Sequence, residues 1–255
     1  MIWKISVLIA ACTLASTPVA AQDAAWPERL VLTVNVPFQA LNDDFSETLI
    51  FADTVRRAEN VDFRMRYPST RGAVVDAGVA MRVRANLGAG IVASWAQRSS
   101  AGSFGLKLPN PLVANSPLEL QGTIDDLSRN ELGIHLHALY ARALGRNVRV
   151  TLSAGPSIFR TTQDLVRSVD VDILPGFRSL RFDEAALTTQ EQTSFGFNVG
   201  ADLTWAFARH LGVGTVARYS RANLTWSPPS SSGVARDIES RAGGLHVGGG
   251  IRMLF

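Results

Sequence analysis

The final residues of the chain, 245–255, alternate between apolar side chains and small or polar ones up to a terminal phenylalanine. A period of two is what a β-strand imposes, because successive side chains point to opposite faces of the sheet. The pattern predicts a last strand with one apolar and one polar face, suited to closing a sheet. The apolar face comprises Leu245, Val247, Ile251, Met253 and Phe255, and the other face His246, Gly248, Gly250 and Arg252.

The N-terminus has the pattern of a secretory signal peptide. Lys4 is followed by an apolar stretch over residues 5–14, and small residues precede Gln22. The apolar stretch is too short to span a bilayer as a helix. We therefore predict a signal peptide over residues 1–21 and one mature domain over residues 22–255. A lipoprotein signal ending at Cys12, the one cysteine of the chain, is the alternative interpretation.

Three short polar turns recur along the mature chain, each between two alternating segments. They are centred near residues 86, 146 and 210, so they lie about 60 and 64 residues apart. Counting the same distance back from the first turn reaches about residue 25. The spacing predicts four up-and-down pairs, and therefore eight antiparallel strands with short turns at one end and long connections at the other.

The alternation is strongest over residues 194–207, where one face is wholly apolar and the other wholly small or polar. In a soluble periplasmic β-sandwich the apolar face would point to a core, whereas in a membrane barrel it would meet lipid. Alternation alone does not separate these two hypotheses. The many glycines on the polar faces favour the barrel, since a narrow interior leaves little room for side chains.

The connections predicted at 41–72, 98–131, 161–193 and 227–242 are longer than structureless loops usually are. We therefore expect parts of them to be strand extensions above the membrane. Alternation inside the first connection is compatible with an outer hairpin, or with two further barrel strands that would raise the count to ten.

Charge and composition argue against several function classes. Without Lys4, 24 basic residues face 22 acidic ones, and they are scattered along the chain. Neither a basic run nor an aromatic platform accompanies them, so we expect no nucleic-acid binding. No apolar stretch long enough for a membrane helix follows the signal.

The segments 76–90, 155–159 and 197–202, together with the last strand, resemble small bacterial outer-membrane β-barrels. The likeness is to the OmpA-type and OmpX-type barrels without a periplasmic domain, and to the porin-like family called outer-membrane protein β-barrel domain. It implies an all-β, transmembrane, antiparallel up-and-down barrel in a Gram-negative outer membrane. It also implies contact with membrane lipid and lipopolysaccharide, and delivery by periplasmic chaperones to the barrel-assembly machinery. The assembly signal would comprise Val247, Ile251, Met253 and Phe255.

In such a barrel the polar faces would form a network in the lumen. His135 and His137 could begin a metal site, with Asp76, Asp202 or His246 as the third ligand. We favour a plug of side chains and salt bridges without metal, because eight strands leave an interior that side chains can fill. The predicted network comprises Asp76, Arg82, Arg84, His135, His137, Arg149, Asn198, Asp202, Arg218 and Arg252.

These observations favour a structural, envelope-integrity or surface-interaction role, without a cofactor and as a monomer. The alternative is a narrow porin for small solutes. A lipid-modifying enzyme is less favoured, since no Gly-x-Ser-x-Gly motif occurs and the histidines of the strands point inward. A ligand of the long connections would meet the mixed charges of residues 161–191 or the serine-rich segment 227–233.

Overall fold

The structure is a computed structural model. It describes residues 28–41, 45–52, 60–68, 71–110, 112–113, 116–175, 179–227 and 238–255. The predicted signal peptide, residues 1–21, lies outside the described residues.

The described part of the chain is built of β-strands. No helix in it has the length and the apolar character needed to cross a membrane. In chain order the strands are β1 (Leu30–Leu41), β2 (Phe45–Ala52), β3 (Asn60–Tyr67), β4 (Gly72–Ala73), β5 (Val75–Arg84), β6 (Leu87–Leu108), β7 (Leu118–Ala143), β8 (Val148–Ile173), β9 (Leu180–Ala206), β10 (Leu211–Trp226) and β11 (Ile238–Leu254).

Eight of these strands form a closed antiparallel ring. The hydrogen-bonded order runs β1, β5, β6, β7, β8, β9, β10 and β11, and β11 pairs again with β1. In this closing pair Leu32 lies opposite Met253 and Asn35 lies opposite Gly250. Closure removes the unpaired edges that an open sheet would expose. The predicted eight-stranded barrel and the closing role of the last strand are confirmed.

The first long connection forms an outer hairpin. Strands β2 and β3 pair with each other, and β3 continues onto β6 through residues 62–66, which lie opposite residues 103–107. The hairpin thus stands on the part of β6 beyond β5 and does not add two strands to the ring. The ten-strand alternative is wrong for that reason.

The three predicted short turns all lie at one end of the barrel. They occupy residues 85–86, 144–147 and 207–210. The backbone N–H of Ala206 donates to the carbonyl of Asn147 at 2.8 Å, which ties the second turn to the third. The connections at the opposite end are shorter than predicted, because β6 to β9 each continue for 22 to 27 residues.

An apolar belt surrounds the half of the barrel next to the short turns. Along β9 the outward side chains from Phe195 to Trp205 are apolar, and both of these rings are at least half exposed. Ten residues of a tilted strand span roughly 25 Å, the height of a lipid-facing band. The outward-facing side chains near the two ends of the belt include several aromatic ones: Phe38, Trp95, Tyr140, Trp205, Phe207, Tyr219 and Phe255.

Above the belt the apolar side chains of the strands point into the barrel and no longer outward. In β10 the outward residues from Leu211 to Tyr219 are apolar except for Thr215, and those that follow are Arg221, Asn223 and Thr225. The inward residues change the other way, and Trp226 at the end of the strand is buried. The barrel is therefore apolar outside at the membrane level, and apolar inside above it.

Candidate functional site: the barrel interior

At the membrane level, three arginines from different strands each reach a carboxylate inside the barrel. Nη2 of Arg218 donates to Oδ2 of Asp76 at 2.8 Å, and both side chains are almost fully buried. A buried charge without a partner is strongly destabilising, so the pairing is what allows charges in this lumen. The other two pairs are Arg252 with Asp202 and Arg149 with Glu28.

The pairs extend through neutral polar groups. Arg252 also donates to the side-chain oxygen of Asn35 on the neighbouring strand, which links β11 to β1 inside the barrel. The hydroxyl of Thr204 donates to Oδ1 of Asp202 at 2.7 Å. Asp202, whose side chain is 24% exposed, therefore accepts hydrogen bonds from both Thr204 and Arg252.

A second network crosses four neighbouring strands through His135, which is completely buried. Its Nε2 lies 2.9 Å from the hydroxyl of Ser94, and its Nδ1 lies 2.8 Å from the hydroxyl of Ser157. The side-chain amide of Asn198 donates to that hydroxyl of Ser157 at 2.9 Å. Both ring nitrogens are thus engaged, and the network braces β6, β7, β8 and β9 against one another.

The predicted histidine pair does not gather metal ligands around it. The rings of His135 and His137 lie 6.4 Å apart, but the three candidates for a third ligand are held elsewhere. Asp76 and His246 both contact Arg218, and Asp202 contacts Arg252. Among the described residues no group of three or more possible ligands lies close enough to hold a metal ion.

Two predicted network members lie apart from the others. Arg84 is exposed and points away from the lumen, so its assignment to the lumen network is wrong. The register shifts between Arg82 and Arg84, which places Arg84 opposite the outward Leu87. The irregularity at the turn reverses the direction that alternation predicts. Arg82 is partly buried at the turn end of the barrel.

A small cavity lies among the lumen side chains. It has a volume of about 80 Å³ and lies between the histidines and the short turns, lined by His137, Arg149, Asp202 and Arg252 among others. This space can hold several water molecules. Below it Val31, Leu139, Ala141 and Leu254 form a small buried apolar cluster at the turn end.

The pairing of β11 with β1 ends at Leu245, at the upper edge of the belt. Beyond this point side chains supply hydrogen-bond partners for the backbone groups of β11. Oε1 of Glu131 accepts the backbone N–H of Gly243 at 2.8 Å, and Gln39 donates to the carbonyl of the same glycine. Gly243 has φ of +86°, and a Cβ there would lie 2.5 Å from the carbonyl oxygen of Ser220. This left-handed backbone conformation and the close approach of Ser220 both favour glycine at position 243.

Arginines complete this cluster. Nη2 of Arg129 donates to the carbonyl of Arg241 at 2.7 Å, and Arg98 donates to the side-chain oxygen of Gln39. The side chains thereby take the place of backbone pairing between β1 and β11. Alternation predicts that Gln39, Arg98, Arg129 and Glu131 face inward. The hydrogen bonds of this cluster to the backbone of β11 depend on where β1 stops pairing with it, which the sequence does not indicate.

Above this cluster the interior is filled by apolar side chains. Trp226 is 1% exposed, and its indole N–H donates to the hydroxyl of Ser240 at 2.7 Å. The hydroxyl of Tyr67 accepts the backbone N–H of Val166 at 3.0 Å. The buried members of this core are Phe63, Met65, Tyr67, Phe104, Leu106, Leu118, Ile124, Leu127, Phe159, Leu165, Val166, Leu180, Ala222, Leu224, Trp226, Ile238 and Ala242.

This core is the feature that prediction from sequence missed. The signal for it is the change of apolar side within one strand: in β6 the exposed large apolar residues up to Trp95 are odd-numbered, whereas the buried Phe104 and Leu106 are even-numbered. Because the even positions face inward along the whole strand, the lumen changes from polar to apolar at the upper edge of the belt.

The outer wall above the belt carries charged pairs between neighbouring strands. Within 161–191, part of a long connection expected to contain strand extensions, most residues belong to β8 and β9. Arg181 donates to Asp172 at 2.6 Å in that segment. Arg160 pairs with Glu191 at 2.8 Å, and both are largely exposed. The predicted flexible segment 227–233 lies outside the described residues except for Ser227.

Comparison with solved structures finds bacterial surface and outer-membrane proteins. OprG from Pseudomonas aeruginosa has 10% identity and a TM-score of 0.51, over 89% of this chain and 96% of that chain. Neisserial surface protein A has 12% identity and a TM-score of 0.42, over 89% and 97%. The outer membrane protease OmpT from Escherichia coli has 11% identity and a TM-score of 0.45, over 91% and 98%.

No family model matches the sequence. A search of curated proteins finds no significant match either. The finer likeness to the porin-like family therefore stays a prediction, and identity this low bears on the fold alone. The closed ring, the apolar belt and the likeness to OprG agree. The chain has the fold of the small eight-stranded outer-membrane β-barrels.

Proposed function

We propose that this protein is an integral outer-membrane barrel with a structural or surface-interaction role, and that its lumen is closed. The observation that carries the proposal is the apolar core above the membrane. Its side chains are at most 7% exposed, and Phe63, Phe159 and Leu165 are fully buried. A water-filled channel needs a continuous polar path, which a close-packed apolar core interrupts.

The lower lumen supports the same proposal. Its charged groups are engaged with one another, as in Arg218 with Asp76 and Arg252 with Asp202. The remaining cavity of about 80 Å³ lies between this network and the apolar cluster at the turn end. A porin would need the apolar core above the membrane to move aside, so we disfavour the narrow-porin alternative.

We also propose that the protein is not an enzyme. The pairing of Ser157 with His135 has the residue types of a nucleophile and its base, but both side chains are at most 1% exposed. A base acts only within reach of a substrate that can enter the site. The network around His135 is better suited to bracing four strands.

A surface role is supported by the height of the barrel above the belt. Strand β8 continues from Arg160 to Ile173, which corresponds to roughly 30 Å beyond the membrane for a tilted strand. The outer wall carries ion pairs such as Arg160 with Glu191 and Lys107 with Glu119. This rigid, polar wall would present a surface to lipopolysaccharide or to another partner outside the cell.

Deletion of the gene distinguishes a structural role in the envelope from a role as a porin. If the barrel supports the envelope, cells without it take up more of a hydrophobic dye, and wild-type protein restores the barrier. If the barrel is a porin, the same deletion slows the uptake of small polar solutes and leaves dye uptake unchanged. The second result would show that the proposal is wrong.

A further inference from the structure

We propose that the turn end of the barrel binds the anionic headgroup of a glycerophospholipid in the inner leaflet of the outer membrane. The inference rests on the proposed membrane location, with the short turns on the periplasmic side. The groove concerned lies at the short turns, outside the side-chain networks that fill the lumen.

Charge is strongly one-sided at this end. In the described segments 28–31, 81–88, 141–149, 205–212 and 252–255, Glu28 is the one acidic residue, and it is paired with Arg149. The exposed arginines at this end are Arg29, Arg84, Arg142, Arg146 and Arg209.

Two of these arginines line one groove. It has a volume of about 550 Å³ and lies between the turns 144–147 and 207–210 and the end of β11, with Arg146 and Arg209 in its walls. Glu28 also lines the groove, and its charge is compensated by Arg149. Neither of these side chains has an ion-pair partner among the described residues. Two guanidinium groups in one groove match a phosphodiester, since each can donate two parallel hydrogen bonds to its oxygens.

The walls of the groove are held in place. The backbone N–H of Ala206 donates to the carbonyl of Asn147 at 2.8 Å. The backbone N–H of Leu254 donates to the carbonyl of His210 at 3.0 Å. Nδ1 of His210 lies 2.8 Å from the carbonyl of Leu254, and its ring stacks on Phe255. The groove therefore exists before a ligand arrives.

Aromatic rings fix the groove at the lipid boundary. Phe207 and Phe255 line it and are 54% and 55% exposed, and Trp205 lies 6.1 Å from the ring of Phe207. Such rings occupy the interface between headgroups and acyl chains. A phosphate in the groove would thus lie at headgroup depth, with its acyl chains along the belt. This position favours a lipid over a soluble periplasmic anion.

The test is native mass spectrometry of the refolded chain without residues 1–21, in detergent with added phosphatidylglycerol or phosphatidylcholine. We expect preferential retention of phosphatidylglycerol, and a loss of about fivefold for each arginine removed in R146Q, R209Q and the double variant. The matched control R71Q/R167Q removes two exposed arginines far from the groove and should retain the lipid as the wild type does.

Heat-modifiable gel mobility verifies that each variant is folded, and the single variants suffice where the double variant does not fold. Equal retention of both lipids by the wild type, or undiminished phosphatidylglycerol on a folded R146Q/R209Q barrel, would overturn the inference. Complete displacement by inorganic phosphate would assign the groove to a free anion and overturn the lipid assignment. Channel activity would contradict the closed lumen and leave the lipid result unaffected, so the two proposals fail separately.

Discussion

Arg218 and Asp76 bridge the lumen from β10 to β5, two strands that are not neighbours in the ring. Nη2 of Arg218 lies 2.8 Å from Oδ2 of Asp76, and the two side chains are 3% and 1% exposed. The pair spans the interior at the membrane level across the two intervening strands, β11 and β1. It therefore connects two parts of the ring that share no backbone hydrogen bonds.

Removing the carboxylate alone should be costly. In D76A the guanidinium of Arg218 stays buried without its partner, and we expect the free energy of unfolding to fall by about 3–5 kcal/mol. Urea titration of the barrel folded in lipid vesicles measures this change. The control D172N removes an exposed pair with Arg181 and should cost about 0–1 kcal/mol. Equal effects of the two substitutions would contradict the role assigned to the lumen pair.

The core above the membrane should contribute to stability independently of the lipid. W226A removes a fully buried indole, and we expect a loss of about 3–5 kcal/mol. S240A removes only the hydroxyl that accepts the indole N–H and should cost about 1 kcal/mol. The same urea titration compares them. A W226A barrel as stable as the wild type would mean that this core is not packed as described.

The closing pair of strands should not tolerate a side chain at Gly250. A Cβ there would lie 1.9 Å from the carbonyl oxygen of Val34 on β1, so G250A should push β11 away from β1. We expect a loss of at least about 1–3 kcal/mol and a smaller folded fraction by heat-modifiable mobility. Gly105 provides the control, because a Cβ at that position meets nothing within 4 Å. If G250A folds as well as G105A, the register of closure is different.

The predicted assembly signal can be tested separately from the fold. Val247, Ile251, Met253 and Phe255 are 42% to 56% exposed on the outer face of β11, where another protein could contact them before insertion. We expect F255A to lower the amount of folded barrel in cells and to refold in detergent as the wild type does. F207A is the control, since Phe207 is equally exposed at the same rim. Similar losses in cells for both variants would contradict a specific signal.

Much of the fold could be predicted because a strand has a strict period of two. The outward apolar face of β9 follows from this period. So do the inward positions of Asp76, Arg218 and Arg252, which the structure brings together with their partners.

What could not be predicted depends on which strands meet and where pairing ends. Alternation says that a residue faces inward, but not that Arg218 reaches Asp76 or that Glu131 caps Gly243. The outward direction of Arg84 results from a register shift between Arg82 and Arg84. The alternation of side chains gives no sign of such a shift. The apolar core above the membrane was missed because the alternation continues there with the same period of two. Only the face changes: the apolar side chains point outward at the membrane level and inward above it.

Planar-bilayer recording of the refolded barrel tests the closed lumen most directly. We predict that a barrel with heat-modifiable mobility produces no steady conductance at either polarity, because the apolar core above the membrane interrupts the polar path through the interior. Steady openings from the folded barrel that diminish when Arg218 and Arg149 are replaced by bulkier residues would contradict the account and establish a pore through the lumen.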